Sequence, residues 1–292
     1  MHKFLRSVGF STYERKREIE GLLQDIIDRA EDIHQIQLDE ETNLCEIREE
    51  VAPGMGIAIF GEMDSDGVFH REYYYPYLIG KDVSSTAECS IQRHTEKESC
   101  SGLLDEYKVG ISLIFYLDNL FEYRERRMNK KKIEIYGTRL SALAVSGKIL
   151  LPVKKTAKQI AQEKVASKER NHLIEAAKNG DEDAIETLTI EDIDMYSQIS
   201  KRIQREDIYS IIDSCFMPCG IECDQYSIVG EIKEIEMKKN QLTNEEVYDF
   251  AIECNDLLFH VGIAKQDLLG EPAVGRRFKG KIWVQGRVDF EA

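Results

Sequence analysis

The chain has 292 residues, 42% of them hydrophobic and 32% charged, and its formal net charge is −15 at pH 7. Enough apolar side chains are present for packed cores, so the composition excludes a disordered chain and leaves room for two domains. The acidic excess repels phosphate backbones and anionic lipid head groups. It therefore disfavours nucleic acid as a partner unless the surface has a local basic region.

The sequence gives no indication of export or membrane insertion. Its first ten residues lack the apolar core and cleavage site of a signal peptide. The longest apolar run, Val109 to Leu117, is far too short to span a bilayer. Seven cysteines, an odd number, favour free thiols in a reducing compartment. The chain is therefore predicted to be cytoplasmic, with no membrane partner.

Residues 1–153 are predicted to form an α+β domain, in which one helix precedes an antiparallel sheet. Apolar residues recur at helical spacing over residues 12–29, which predicts an amphipathic helix. From residue 44 onward, apolar, β-branched and aromatic residues alternate with glycine-containing turns, as they do in strands. The polar loop 62–67 predicts a hairpin, and Ser146-Gly147 predicts a second hairpin turn between two apolar segments.

Residues 154–213 are predicted to form a helical connector. Residues 156–178 are rich in Ala, Lys, Glu and Gln, and Asn179-Gly180 follows them as a helix C-cap. Asp181 is predicted to begin a short second helix. Thr189 is predicted to cap a third one, which ends near residue 205.

Residues 214–292 are predicted to form a small β-barrel of the OB or SH3-like kind. Two-residue alternation changes phase near Glu234, which predicts a β-bulge, and Asn255-Asp256 predicts a hairpin turn. A long last strand covers residues 278–288, and its glycines permit sharp curvature. Four strands are identified in this way, while a fifth strand of the barrel is not. The predicted fold class is therefore α+β, with three successive units.

The last strand carries the candidate binding residues. Alternation places one tryptophan and four basic residues on the face opposite its apolar set: Arg277, Lys279, Lys281, Trp283 and Arg287. A flat aromatic ring flanked by cations suits a nucleic-acid base, an anionic ligand or a cation–π contact. The alternative is that Trp283 packs against the connector or the first domain, with the stems of basic side chains over its ring.

Three cysteines at four-residue spacing, Cys215, Cys219 and Cys223, are the candidate metal ligands. Structural zinc sites use paired Cys-x2-Cys knuckles, so this spacing favours small core thiols over a metal site. The sequence has no His-Glu-x-x-His pair, nucleophile elbow or glycine-rich phosphate loop. It therefore indicates no catalytic residue and no cofactor.

Three segments resemble an uncharacterised family of anaerobic, mainly clostridial, Gram-positive bacteria. They are residues 102–117 (GLLDEYKVGISLIFYL), 223–232 (CDQYSIVGEI) and 267–286 (DLLGEPAVGRRFKGKIWVQG). The resemblance runs nearly end to end and implies a cytoplasmic bacterial protein of unknown function. It carries over no catalytic or ligand-binding residue.

The leading functional hypothesis is a noncatalytic binding or scaffold protein that uses the Trp283 face. A second hypothesis is single-stranded nucleic-acid binding by the barrel, with the four cations on phosphates and the indole stacked on a base. A third is an enzyme with a site in the cleft between domains. The sequence does not identify the partner, and both a protein partner and self-association fit it.

Overall fold

Within residues 2–31, 33–37, 43–94, 99–129, 133–153 and 155–290, which the computed structural model describes, the chain forms two β-sheets and five α-helices. The predicted α+β class is confirmed. The helices are α1 Lys16–Arg29, α2 Leu120–Met128, α3 Ala157–Lys178, α4 Glu182–Ile203 and α5 Ile208–Ile211. A 3-10 turn, Lys3–Val8, precedes α1.

Sheet A is antiparallel, with the strand order β1-β2-β3-β4. Its strands are β1 His34–Gln37, β2 Asn43–Ala52, β3 Met55–Met63 and β4 Phe69–Leu78. The predicted hairpin at 62–67 is the β3–β4 turn. Helix α1 buries an apolar stripe, as predicted, and ion pairs join Glu20 to Arg71 of β4 and Arg29 to Glu49 of β2. The first unit thus contains the predicted helix and antiparallel sheet.

Sheet B is a larger mixed sheet. Its strands are β5 Cys89–Arg93, β6 Cys100–Leu104, β7 Leu113–Leu117, β8 Ile135–Leu150, β9 Cys215–Pro218, β10 Gln225–Lys239, β11 Glu246–Cys254, β12 Leu257–Ala264, β13 Leu268–Leu269 and β14 Arg277–Phe290. Five of them pair in a ring, in the order β8-β12-β11-β10-β14 and back to β8. The β8–β12 pair is parallel and the other four pairs are antiparallel.

Strand β8 supplies the fifth member of this ring, although it lies in the predicted first domain. Strands β5 to β8 precede residue 153 and β9 to β14 follow residue 214, so sheet B includes strands from both predicted terminal units. One buried apolar cluster also contains side chains from both sheets. The predicted unit boundaries therefore do not coincide with a boundary between the sheets.

The predicted hairpin turn at Ser146-Gly147 is wrong, because β8 continues through these residues. A Cβ atom at Gly147 would lie 2.3 Å from Cε2 of Phe278 on the paired strand β14. The glycine is thus needed for the close approach of an aromatic ring, and not for a change of chain direction.

Two other predictions about the final strands are confirmed. The register between β10 and β11 shifts between Ile232 and Glu234, which is the predicted bulge. Asn255 and Asp256 have φ values of 51° and 59° at the turn between β11 and β12, as a type I′ hairpin requires.

In the connector, the first predicted helix is confirmed as α3, which ends at the Asn179-Gly180 cap. Asp181 caps the next helix by accepting a hydrogen bond from the backbone N–H of Ala184. The prediction of two separate helices after Asp181, a short one and one capped by Thr189, is wrong, because α4 is one helix of 22 residues. The Thr189 hydroxyl donates to the carbonyl of Ile185, one turn back, so it does not act as a cap.

Candidate functional site

Trp283 is buried, with 5% of its surface exposed. Its ring stacks on Phe4 at 5.4 Å between centroids and lies 4.7 Å from the His2 ring and 5.4 Å from the Tyr116 ring. Its Nε1–H donates to Asp224 Oδ2 at 2.6 Å. The contacts with other rings come from the N-terminal segment and β7, so the indole packs against the predicted first domain. In this conformation it offers no free face to a nucleic-acid base.

Arg277 and Lys279 contact the connector. The Arg277 guanidinium donates to the backbone carbonyls of Leu151, Ile212 and Tyr209 at 2.6 to 3.0 Å. Burial lowers its pKa. The Lys279 ammonium donates to the Tyr209 hydroxyl and lies 4.1 Å from the centroid of that ring. Both cations therefore fix the segment around α5 to β14.

The remaining two basic residues of the strand differ from each other. Lys281 is exposed, whereas Arg287 donates to Asp118 Oδ2 at 3.4 Å. Trp283, Arg277 and Arg287 thus have partners inside the protein, which is the packing interpretation of this strand. Ligand binding by the five residues stays a prediction, and Lys281 is the most exposed of them.

The three candidate metal-binding cysteines are free thiols in different settings. Cys215 belongs to β9, Cys219 is exposed at the end of that strand, and Cys223 donates to the carbonyl of Gln225 at 3.2 Å. In the part of the chain that the structure describes, no three His, Cys, Asp or Glu side chains are grouped so that they could hold an ion. Burial raises the pKa of Cys254 to about 12, so that nearby thiol stays protonated.

A buried charge network joins sheet A to sheet B. Arg48 of β2 donates to Glu46 at 2.8 Å and to Asp118 at 3.1 Å, and also to the Tyr75 hydroxyl. Asp118 directly follows β7 and is 2% exposed. Burial raises the pKa of Glu46, and the positive charge of Arg48 opposes this shift. The network links the two sheets. Separating them would leave buried charges without partners, which is costly.

A second buried group lies on three neighbouring ring strands. Asp249 of β11 forms an ion pair with Lys238 of β10 at 2.9 Å and a hydrogen bond with His260 Nδ1 of β12 at 2.8 Å. Lys238 also donates to the carbonyl of Pro53 in the β2–β3 turn. His260 Nε2 is buried, and Asp82 Oδ2 lies 3.7 Å from it. This group connects the ring to sheet A.

A cleft of about 740 Å³ lies between α3 and the ring strands β10, β11 and β14. Its lining contains the ion pairs Lys155–Asp213 and Lys233–Glu253, both at 2.6 Å. The enzyme hypothesis, which requires a site of this kind, stays a prediction.

Helices α3 and α4 form an antiparallel hairpin at the surface. Lys178 of α3 pairs with Asp105 and Ser167 of α3 donates to Asp256, so α3 is attached to sheet B, whose strands form the strand body. Helix α4 lies against α3, where Arg170 pairs with Glu191 and Asp192. None of the helices in the described part of the chain combines the length and the apolar composition that crossing a bilayer requires.

Helix α4 is almost entirely exposed. Ala184 is its one buried residue, while Ile190 is 53% and Ile193 62% exposed. Tyr196, beside them, is 76% exposed. An amphipathic surface helix normally buries its large apolar residues, so these side chains lack the cover that such a helix has in a folded core.

One line of residues along α4 is called here the α4 stripe. Its members follow each other by three or four positions, so they lie on one side of the helix. They are Asp183, Glu186, Ile190, Ile193, Ser197, Lys201 and Arg205, the last in the turn after the helix. The stripe is acidic at its start, apolar at its middle and basic at its end.

The family model of a domain of unknown function described from E. rectale, DUF3881, matches residues 5–286. The chain belongs to this family. The match confirms the resemblance found from the three sequence segments. No curated protein and no solved structure matches the chain.

In this DUF3881 protein, sequence reasoning missed both buried charge networks and the exposure of α4. One network consists of Lys238, Asp249 and His260, and 11 positions separate each of these residues from the next. Only the pairing of β10, β11 and β12 brings them together. A signal for α4 was present, because Ile193, Tyr196 and Ile203 follow helical spacing. That spacing identifies a side of a helix and leaves open whether another element covers it.

Proposed function

We propose that this DUF3881 protein is a noncatalytic scaffold protein that binds another protein chain through the α4 stripe. The observation that carries the proposal is the exposure of Ile190 and Ile193 on a 22-residue helix that buries only Ala184. Because these side chains are about half exposed, covering them completely gains about 1 kcal/mol each. A partner helix with an apolar centre and charged ends would fit this surface.

The strand body is the rigid base of the proposed scaffold. Each of the five ring strands pairs with two others, which supports closure into a small barrel of the predicted kind. The contacts of Arg277 and Lys279 with the α5 segment attach the helical hairpin to this base. The proposed place of action is the cytoplasm, which suits seven free thiols.

Site-specific photo-crosslinking tests the proposal in cells that naturally make the protein. The photoreactive residue p-benzoylphenylalanine replaces Ile190 in the stripe, and in a control it replaces Tyr136 of β8, which is 58% exposed. We expect protein adducts at position 190 and not at position 136. Adding Ile193→Glu should remove them, because a charge at the centre of the contact would have to be desolvated.

Adducts that are equally abundant at both positions, or that persist with Ile193→Glu, would reject the α4 stripe as the contact surface. The absence of any adduct at position 190 would reject it as well. Mass spectrometry of each adduct identifies the chain that occupies the stripe.

A further inference from the structure

We infer that the chain bound by the α4 stripe is a second copy of this protein, with the two α4 helices antiparallel. This inference rests on the proposed function and names its partner. The order of charges along the stripe supports an antiparallel pair.

The stripe is complementary to itself when it is reversed. Its first two members, Asp183 and Glu186, are acidic, and its last two, Lys201 and Arg205, are basic. All four side chains are exposed. The two isoleucines and Ser197 lie between the charged ends. An antiparallel copy therefore places acid opposite base at both ends and apolar side chains at the centre.

The numbering of the residues fixes the register. With a two-fold axis between residues 193 and 194, Glu186 of one copy faces the partner's Lys201, and Asp183 lies beside the partner's Arg205. Symmetry repeats each contact at the other end of the pair. Residues 186 and 201 are about 22 Å apart along a helix. Ile190, which faces the partner's Ser197, and Ile193, which lies next to the axis, are therefore between the two charged ends.

A parallel pair is disfavoured by the same charges. It would place Glu186 opposite the partner's Glu186 and Lys201 opposite the partner's Lys201, and like charges that face each other are unfavourable. The charges of the stripe thus act as the determinants of direction, as they do between paired helices in coiled coils. One helix pair is a small interface, so the association is expected to be reversible and concentration dependent.

Charge exchange with sedimentation velocity tests the inference on the purified full chain. In the antiparallel pair, Glu186→Lys places a second cation opposite the partner's Lys201 at both ends, and Lys201→Glu places two acids together. We expect each single variant to weaken dimerisation about ten-fold, which corresponds to about 1.4 kcal/mol. The double variant Glu186→Lys/Lys201→Glu restores opposite charges and should dimerise like the wild type.

A matched control is Lys168→Glu, which reverses an exposed charge on α3, outside the stripe. It should leave dimerisation unchanged, and circular dichroism should show that every variant retains its helices. A dimer that neither single variant weakens, or that the double variant fails to restore, would overturn the antiparallel pairing.

A chain that remains monomeric at all concentrations would overturn the second copy as the partner. That result would not contradict the proposed function, which the crosslinking experiment tests separately. Adducts at position 190 that contain a different protein would still support it. Adducts that contain two copies of this chain support both the proposed function and this inference.

Discussion

Strand β14 and helix α4 use their charged residues in opposite ways. In β14, Arg277 is 4% exposed and donates to backbone carbonyls, and Arg287 donates to Asp118. In α4, Glu186 and Lys201 are both exposed. Arg277 and Arg287 of β14 are therefore part of how the protein holds itself together, whereas Glu186 and Lys201 of α4 are available to another molecule.

The apolar residues of the two elements differ in the same way. Trp283 of β14 is enclosed by aromatic rings, while Ile193 of α4 is 62% exposed. A strand inside a sheet is easily covered on both faces, but a helix at the outside of a helical hairpin is covered on one side only. Alternation of polar and apolar residues in a strand of this kind therefore does not show that the polar face is exposed.

Replacement of Trp283 by alanine should strongly destabilise the protein and tests the internal role of β14. Trp283→Ala should lower the free energy of unfolding by about 4 kcal/mol, because it leaves a cavity among the rings of Phe4, His2 and Tyr116. It also removes the hydrogen bond to Asp224. Urea unfolding followed by far-UV circular dichroism measures the change.

On the same strand, Lys281→Ala is the matched control, since Lys281 is exposed. It should change the stability by less than about 0.5 kcal/mol. If Trp283→Ala were as stable as this control, the indole would have no packing role, and the contrast between β14 and α4 would fail.

Acid sensitivity gives the second expected effect, and it is assigned to the strand body. Burial alone would raise the pKa of Asp249, but the hydrogen bond from His260 and the charge of Lys238 outweigh it and lower that pKa. A folded-state pKa below the unfolded value stabilises the protein above about pH 4, and this stabilisation is lost as the pH falls further. Asp249→Asn should flatten this part of the stability profile, measured by urea unfolding between about pH 3 and pH 7.

At neutral pH the same variant should lose about 3 kcal/mol, because Lys238 stays buried without its counter-charge. Glu253→Gln, on the same strand, is the control: its ion pair with Lys233 is partly exposed, so the acid profile should keep its slope. An unchanged slope with Asp249→Asn would show that Asp249 is not the source of the acid sensitivity.

Local patterns were enough to predict the elements that depend on neighbouring residues. The α3 cap at Asn179-Gly180, the bulge after Ile232 and the Asn255-Asp256 turn each follow from a few adjacent side chains. Gly147 shows the limit of such patterns. It was predicted as a turn, although the reason for a glycine at that position is Phe278, 131 residues later.

The surroundings of the candidate binding residues, like the role of Gly147, depend on contacts between residues that are far apart in the sequence. The sequence correctly placed Trp283 and Arg277 on one long strand. It contained no information that His2 and Phe4 cover the indole, or that carbonyls near α5 surround the guanidinium. The apolar spacing in α4 was visible, and its exposure depends on α3 covering only the opposite side of the helix.

A substitution at the exposed surface of α4 should have little effect on stability. Ile193→Glu should change the free energy of unfolding of the monomer by less than about 0.5 kcal/mol, because the side chain is already exposed and glutamate is a good helix former. The matched control is the same substitution at Ile252, which is fully buried in β11 and should prevent folding. Urea unfolding at low protein concentration separates monomer stability from association. A loss above about 2 kcal/mol with Ile193→Glu would mean that α4 is covered within its own chain, and it would then share the internal role of β14.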